Sequence, residues 1–264
     1  MARRRLVAGN WKMHLTVPEG LSLVESILPA VEKRTDIDVV VCPSFPLLCH
    51  VYMALKKSPL KLGAQDVFWE EKGAFTGQVS AAMLCDAGCT YCIVGHSERR
   101  GRFDSCSYPK EVLHYFSESD ATVNLKLRRL LYSNLKPILC VGETFEEREK
   151  GMTEKVIKKQ LSRGLKGIDA IELLDMAIAY EPVWAIGTGN VCDGNEAARV
   201  CSLIRSFLSK ILSREASESI RVLYGGSVTG SNCQEFFSQK EIDGALVGGA
   251  SLNAEEFSRI IRAA

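Results

Sequence analysis

The sequence predicts an α/β protein folded as one closed (β/α)8 barrel. Three observations carry this prediction. Eight short, near-continuous apolar runs recur along the 264 residues, as parallel strands buried on both faces require. Amphipathic stretches separate them, so strand and helix alternate. The length suits a barrel of ~250 residues, and no linker, low-complexity tract or composition shift divides the chain. A doubly wound open sheet is the alternative. It calls for a G-x-G-x-x-G turn after its first strand, and Gly9-Asn10-Trp11-Lys12 is not one.

The first strand is expected at Arg5–Ala8. A helix over Pro18–Val31 follows, opened by a proline after Thr16-Val17. Further strands are expected at Asp38–Cys42, Lys61–Ala64, Tyr91–Gly95 and Pro137–Val141. Thr153–Leu165 carries the capping pattern of a helix start. Met176–Tyr180 is the sixth strand. The helix expected over Glu196–Leu212 puts Ala197, Val200, Cys201, Ile204, Leu208 and Ile211 on one face. Ile220–Tyr224 and Gly244–Val247 are the last strands, and Glu255–Ala264 is the closing helix.

Composition excludes several classes. The chain is 46% hydrophobic and 25% charged, and 33 Lys+Arg against 32 Asp+Glu leave a net charge of +1. No single-sign field argues for nucleic acid or an acidic membrane, so an anionic ligand must be held by local geometry. No apolar run approaches the ~20 residues of a membrane span. Leu6-Val7-Ala8, after the basic start, is too short for a signal-peptide core, and Ile261 to Ala264 carries no retention tripeptide. A cytoplasmic location is expected. Of ten cysteines, Cys42, Cys85, Cys92, Cys140 and Cys201 sit in apolar runs, which fits buried free thiols of a reducing compartment. Cys89 and Cys92 form a C-x-x-C without a second pair or a nearby histidine, so no metal site is expected.

In a parallel barrel, chemistry sits where strands end at their C-termini. The sixth strand delivers Glu181, and Pro182 and an apolar loop ending in Gly187-Thr188-Gly189 follow. That is the build of a catalytic base under a lid; an edge-of-sheet glutamate with an ordinary turn is the bland alternative. Asn10 and Lys12 follow the first strand, on one side of an extended segment. His96 follows the fourth, ahead of Ser97 and Glu98. A helix start there would keep the imidazole neutral, whereas a lone histidine is more often structural. Gly225-Gly226-Ser227 and Gly248-Gly249 follow strands seven and eight, where barrels grip phosphate with backbone N–H groups. Base, neutral electrophile, cation and phosphate cradle together suit proton abstraction beside a carbonyl on a small phosphorylated substrate. No redox motif, metal cluster or activated nucleophile joins them, and no cofactor is expected.

These motifs resemble the triosephosphate isomerase family. The resemblance runs nearly end to end, through Gly9 to Met13, Gly73 to Gly77, Gly95 to Arg100, Ala179 to Gly189, Leu223 to Val228 and Leu246 to Leu252. It implies a single (β/α)8 TIM barrel over 1–264 that interconverts dihydroxyacetone phosphate and glyceraldehyde 3-phosphate without a cofactor. It implies Glu181 as base, His96 as electrophile, Lys12 and Asn10 as substrate-binding groups, and Glu98 as the acid near Lys12. Ser97 would hold the open-state Glu181, residues 182–192 would be the lid, and Gly187, Ser227, Gly248 and Gly249 would contact phosphate. A homodimer is implied through the Gln65–Gln78 loop, whose Phe68, Trp69 and Phe75 would seek a partner surface. The position of Thr76 would reach the neighbour's Asn10 and Glu98.

Two stretches depart from the family pattern. Gly101–Leu113 is an insertion directly after the strand-four loop, where the family receives the partner's docking loop. Weakened dimerisation and reduced activity are expected from it, with Glu98 and Arg100 most open to disturbance. At the far lid hinge, Asn190-Val191-Cys192 stands where the family commonly has Lys-Thr-Ala, and a modest change in lid kinetics is expected. A non-catalytic relative and a different phosphate-binding barrel isomerase or lyase are the competing functions.

Overall fold

Eight parallel strands close on themselves in chain order in the computed structural model, which describes residues 3–55, 58–102 and 109–264. They are β1 (Leu6–Asn10), β2 (Asp38–Cys42), β3 (Lys61–Ala64), β4 (Tyr91–Val94), β5 (Lys136–Val141), β6 (Ala177–Tyr180), β7 (Arg221–Tyr224) and β8 (Gly244–Val247). The ring closes where Leu6 pairs with Gly244 and Ala8 with Leu246. Alternation along each strand makes two cores. Leu6, Ala8, Val40, Cys42, Ile93, Ile138 and Cys140 point inward and fill the barrel. Val7, Val39, Val41, Cys92 and Leu139 point outward and pack under the helices.

The helical shell comprises α1 (Val17–Val31), α2 (Leu48–Leu55), α3 (Ala81–Asp86), α4 (Asp120–Tyr132), α5 (Phe145–Glu149), α6 (Thr153–Gly164), α7 (Gly194–Ile211), α8 (Arg214–Ser219), α9 (Cys233–Phe237) and α10 (Ala254–Ala263). At the start of α7, Asp193 accepts the Glu196 N–H at 2.8 Å, a cap that contributes about 1 kcal/mol. No helix among the described residues is long and apolar enough to cross a membrane.

Several boundaries differ from the sequence expectations. β1 runs two residues past Ala8, because Gly9 pairs with Val41 and Val247, and Asn10 with Cys42. Asn10 therefore belongs to the strand and is as rigid as the sheet. β4 stops at Val94, since Gly95 adopts a φ of +72°. Thr153 is the first residue of α6 rather than its cap, and Met152 stands at the cap without a side-chain bond. Cys42, Cys92, Cys140 and Cys201 are buried as expected, but Cys85 is exposed, near the end of the short α3. The nine described cysteines are all free, and the described residues contain no group of His, Cys, Asp and Glu fit to hold a metal.

Candidate active site

The β6 exit brings Glu181 into the mouth of the barrel. Its N–H donates to Val141 O at 2.8 Å, which ties the β6 exit to β5. Gly142 lies directly beneath: a Cβ there would fall 1.7 Å from the Glu181 carbonyl oxygen, so this crossing excludes every side chain. Gln160 of α6 clamps Gly142 from both sides, accepting its N–H at 2.8 Å and donating to its carbonyl at 3.1 Å. Gly142 and Gln160 were not singled out in the sequence; their role comes from two elements crossing, which no local motif reports.

Glu181 is 2% exposed. Its Oε2 accepts the Ser97 N–H at 2.8 Å, so the backbone of Ser97 holds it. Its Oε1 lies 2.9 Å from His96 Nε2 without an aligned hydrogen bond. Burial pushes the Glu181 pKa up. His96, the Ser97 N–H and the more distant Lys12 outweigh burial and hold the carboxyl below its ordinary value.

His96 does not open a helix as expected; residues 97–101 form consecutive turns, with Arg99 and Arg100 N–H groups on the His96 carbonyl at 2.9 and 3.1 Å. A single backbone group selects the tautomer instead. The Glu98 N–H donates to His96 Nδ1 at 3.2 Å, which leaves the neutral ring's proton on Nε2, facing Glu181. Burial lowers the His96 pKa, but the Glu181 carboxylate beside it reverses that, and the net direction is upward while the two remain in contact. The neutral ring expected from a helix terminus thus depends on where Glu181 points.

Lys12 and Asn10 are not on one extended segment. Lys12 adopts a φ of +53°, a conformation non-glycine residues rarely take. Asn10 Oδ1 accepts the Lys12 N–H at 3.1 Å. Gln65 adds a second tie, donating to Lys12 O at 2.8 Å and to Cys42 O at 2.9 Å. These bonds turn the Lys12 ammonium back across the mouth, where it meets Glu98 Oε1 at 2.6 Å. Gln65 is thus a support for the cation, which the sequence showed only as the start of a loop.

One cavity of roughly 290 Å³ brings the expected groups together. Asn10, Lys12, His96, Glu181, Gly187, Ser227, Gly248 and Gly249 all line it. Ile186, Val228 and Leu246 add apolar walls that were not anticipated. Glu98 does not line it; it faces an adjoining cavity of roughly 390 Å³ shared with Lys12, His96 and Tyr115. The two glycine pairs differ in cause. A Cβ on Gly226 would lie 2.2 Å from the Tyr224 hydroxyl, whereas one on Gly249 would meet nothing within 4 Å. Gly226 is required by packing. Gly249 keeps room on the cavity wall.

The segment expected to be the lid, residues 182–192, starts from a braced stretch. Glu143 accepts from the Tyr180 hydroxyl at 3.0 Å and from Trp184 Nε1 at 2.9 Å, and the Arg148 guanidinium lies 4.1 Å over the Trp184 ring. Burial pushes the Glu143 carboxyl upward against these donors. Thr188 and Asn190 both donate to Trp184 O, at 2.6 and 3.1 Å. At the far hinge Val191 is 81% exposed while Cys192 is buried.

The expected docking loop is only partly open. Phe75 is 42% exposed, but Phe68 packs against Trp69 and Phe75 with ring centroids 4.1 and 4.8 Å away. Of the insertion, residues 103–108 lie outside the described residues, and a 3-10 turn over Lys110–Phe116 follows them. Arg100, just before the insertion, is nearly buried, donating to Gly95 O at 2.6 Å and to Asp120 at 2.7 Å.

A closed parallel barrel with an acid–base pair and a cation at its C-terminal mouth defines a class, the barrel enzymes that move protons on small anionic substrates. Comparison with known proteins narrows this class. A family model described as triosephosphate isomerase matches residues 5–264. Similar proteins named triosephosphate isomerase occur in Alkaliphilus oremlandii, 48% identical over 98% of this chain and 99% of that protein, and in Rhodopirellula baltica, 47% identical over 100% and 99%. Another, from Geotalea uraniireducens, is 45% identical over 98% of each chain. The chain belongs to the triosephosphate isomerase family.

Proposed function

We propose that this chain interconverts dihydroxyacetone phosphate and glyceraldehyde 3-phosphate by proton transfer through an enediolate, a step shared by glycolysis and gluconeogenesis. One observation carries the reading: Glu181 and His96 stand 2.9 Å apart on a cavity that Lys12 and the glycines also line. Gly187, Ser227, Gly248 and Gly249 bind the phosphate. Asn10 and Lys12 orient the three-carbon backbone. Glu181 takes the proton from the carbon beside the carbonyl, and His96 Nε2–H hydrogen-bonds to the carbonyl oxygen as negative charge grows there. Lys12, steadied by Glu98, stabilises the same charge. Glu181 returns the proton to the neighbouring carbon, while the hydroxyl proton passes by way of His96 Nε2 to the former carbonyl oxygen, so no group is consumed and no cofactor takes part. The lid excludes water and keeps the enediolate from expelling phosphate.

Substrate binding changes the balance around the base. In leaving Ser97 and His96 for the substrate, Glu181 loses the groups that lower its pKa and becomes a stronger base. The ring loses the carboxylate that raises its own, and burial and the Glu98 N–H then favour neutral imidazole. The chain acts as a single catalytic domain in the cytoplasm. It forms a homodimer through the Gln65–Gln78 loop, weakened by the insertion at 101–113, with reduced activity as the consequence. Glyceraldehyde 3-phosphate incubated with the protein in deuterium oxide tests the reaction. Proton NMR is expected to show dihydroxyacetone phosphate carrying deuterium on the carbon next to its carbonyl; no conversion would overturn the proposal.

A further inference from the structure

The opposite, N-terminal end of the barrel carries a second charged bowl that the isomerase chemistry does not use. Counting back two residues from the inward-facing Leu6, Val40, Ile138, Ala177 and Leu223 gives Arg4, Asp38, Lys136, Asp175 and Arg221 as the next inward layer. Lys61, which begins β3, joins them, and all six line one open cavity of roughly 450 Å³. Four cations against two carboxylates leave this layer two positive charges in excess, in a chain whose whole net charge is +1.

Asp38 cannot absorb that excess. Its Oδ1 already takes Arg4 Nε at 2.9 Å and Lys61 Nζ at 2.8 Å, and its Oδ2 takes Arg221 Nη1 at 2.8 Å and the Tyr91 hydroxyl at 3.1 Å. A carboxylate has about four acceptor sites, and all are in use. Arg4 Nη2 is matched, donating to Thr35 O and Ile37 O at 2.8 Å each, but Arg221 and Lys136 keep poorly matched donors. Arg221 Nη2 has only contacts of 3.3 and 3.4 Å, to the Tyr91 hydroxyl and Asp175 O. Lys136 Nζ has Asp175 at 3.3 Å, whose side chain is 76% exposed. A purely structural network explains Asp38 and its three cations. It does not explain Lys136, which enters the bowl from β5 with a solvated partner.

We propose that this bowl is a second anion site, which takes a dianionic phosphate, free or as a monoester, within the ring of Arg4, Lys61, Lys136 and Arg221. Two negative charges match the excess, and phosphate oxygens accept the spare ammonium and guanidinium protons. The site is separate from the catalytic cavity, at the other end of the filled barrel.

Lysine acetylation on the unmutated protein tests this. Neutral buffers at equal ionic strength contain chloride, inorganic phosphate or ribose 5-phosphate, and each lysine is followed by mass spectrometry. Phosphate is expected to slow acetylation of Lys61 and Lys136 several-fold relative to chloride. Protection by ribose 5-phosphate as well extends the site to monoesters; protection by phosphate alone assigns it to the free ion. Equal acetylation of both lysines in all three buffers overturns the proposal. A variant pair gives a second readout. Lys136→Gln and Lys61→Gln are expected to reduce the phosphate-induced rise in melting temperature and to leave inhibition of isomerisation by phosphate unchanged. An undiminished rise in both variants also overturns the proposal.

Discussion

Glu181 rests where it is a weak base, against a histidine and a backbone N–H that hold its pKa below the ordinary carboxylate value. The sign of a His96 substitution follows. In His96→Gln the carboxylate loses the neighbour that lowers its pKa most, and burial then dominates. The acid limb of kcat/KM is expected to move to higher pH, with kcat reduced about 10²- to 10⁴-fold. A pH–rate profile for the variant checks this; an acid limb that stays put or moves down contradicts it. Glu196 makes a separate case. Arg199, and then Arg148, hold its carboxyl at about 2 against burial, below the reference value of 4.5. Its contribution to stability is therefore present above pH ~4.5 and is lost as pH falls toward ~2. The Arg199 partner is more than half exposed, so solvent screens the pair and the effect is at most ~1 kcal/mol. Urea melts should show Glu196→Gln weaker than the unmodified protein at pH 7, and the gap closing below pH ~3. At this scale much was legible: that Glu181, His96, Lys12 and Asn10 meet on one cavity follows from where the strands end. The left-handed turn of Lys12 and the clamp of Gln160 on Gly142 were not, since both depend on atoms distant in sequence.

Strands were the most legible elements, because burial on both faces writes them as unbroken apolar runs. β2, β3 and β8 fall at the expected residues. β1 was cut short because Gly9 and Asn10 look like turn residues; only pairing with β2 and β8 carries the strand through them. The turn behind His96 looks like a helix start by composition, yet residues 97–101 form only consecutive turns. The lid bears the clearest element-scale prediction. Gly187 has a φ of +72° with no atom within 4 Å of an added Cβ, so substitution there meets backbone strain and not a clash. Gly187→Val is expected to cost ~1–2 kcal/mol in that conformation, which corresponds to a fall of about 5- to 30-fold in kcat/KM. Steady-state kinetics measure it, and an unchanged kcat/KM would show that the lid works without this conformation.

The whole molecule gathers charged side chains at both ends of one barrel. The C-terminal mouth gathers Asn10, Lys12, His96 and Glu181, and the N-terminal floor gathers cations from strand starts spread between Arg4 and Arg221. The mouth was legible because each group sits in a recognisable local motif. The floor was not, because only closure of the barrel brings single lysines and arginines into one layer. The insertion belongs to this scale too. Arg102 at its start donates to Gly142 O at 3.2 Å and pairs with Glu147, and Tyr115 beyond it lines the cavity beside Lys12 and Glu98. A chain lacking Gly101–Leu113 is expected to dimerise more tightly and turn over faster than the full chain. Light scattering after size exclusion, with kcat measured on the same fractions, compares them; identical dimer stability and kcat would discard the assigned effect.

The central claim is that Glu181 carries the proton between two carbons of a triose phosphate. A coupled assay with glyceraldehyde 3-phosphate, run on the unmodified chain and on Glu181→Gln, tests it most directly. The unmodified chain is expected to isomerise the substrate, and the variant to lose about 10²- to 10⁴-fold in kcat. Undiminished turnover by Glu181→Gln, or none by the unmodified chain, would contradict the assignment.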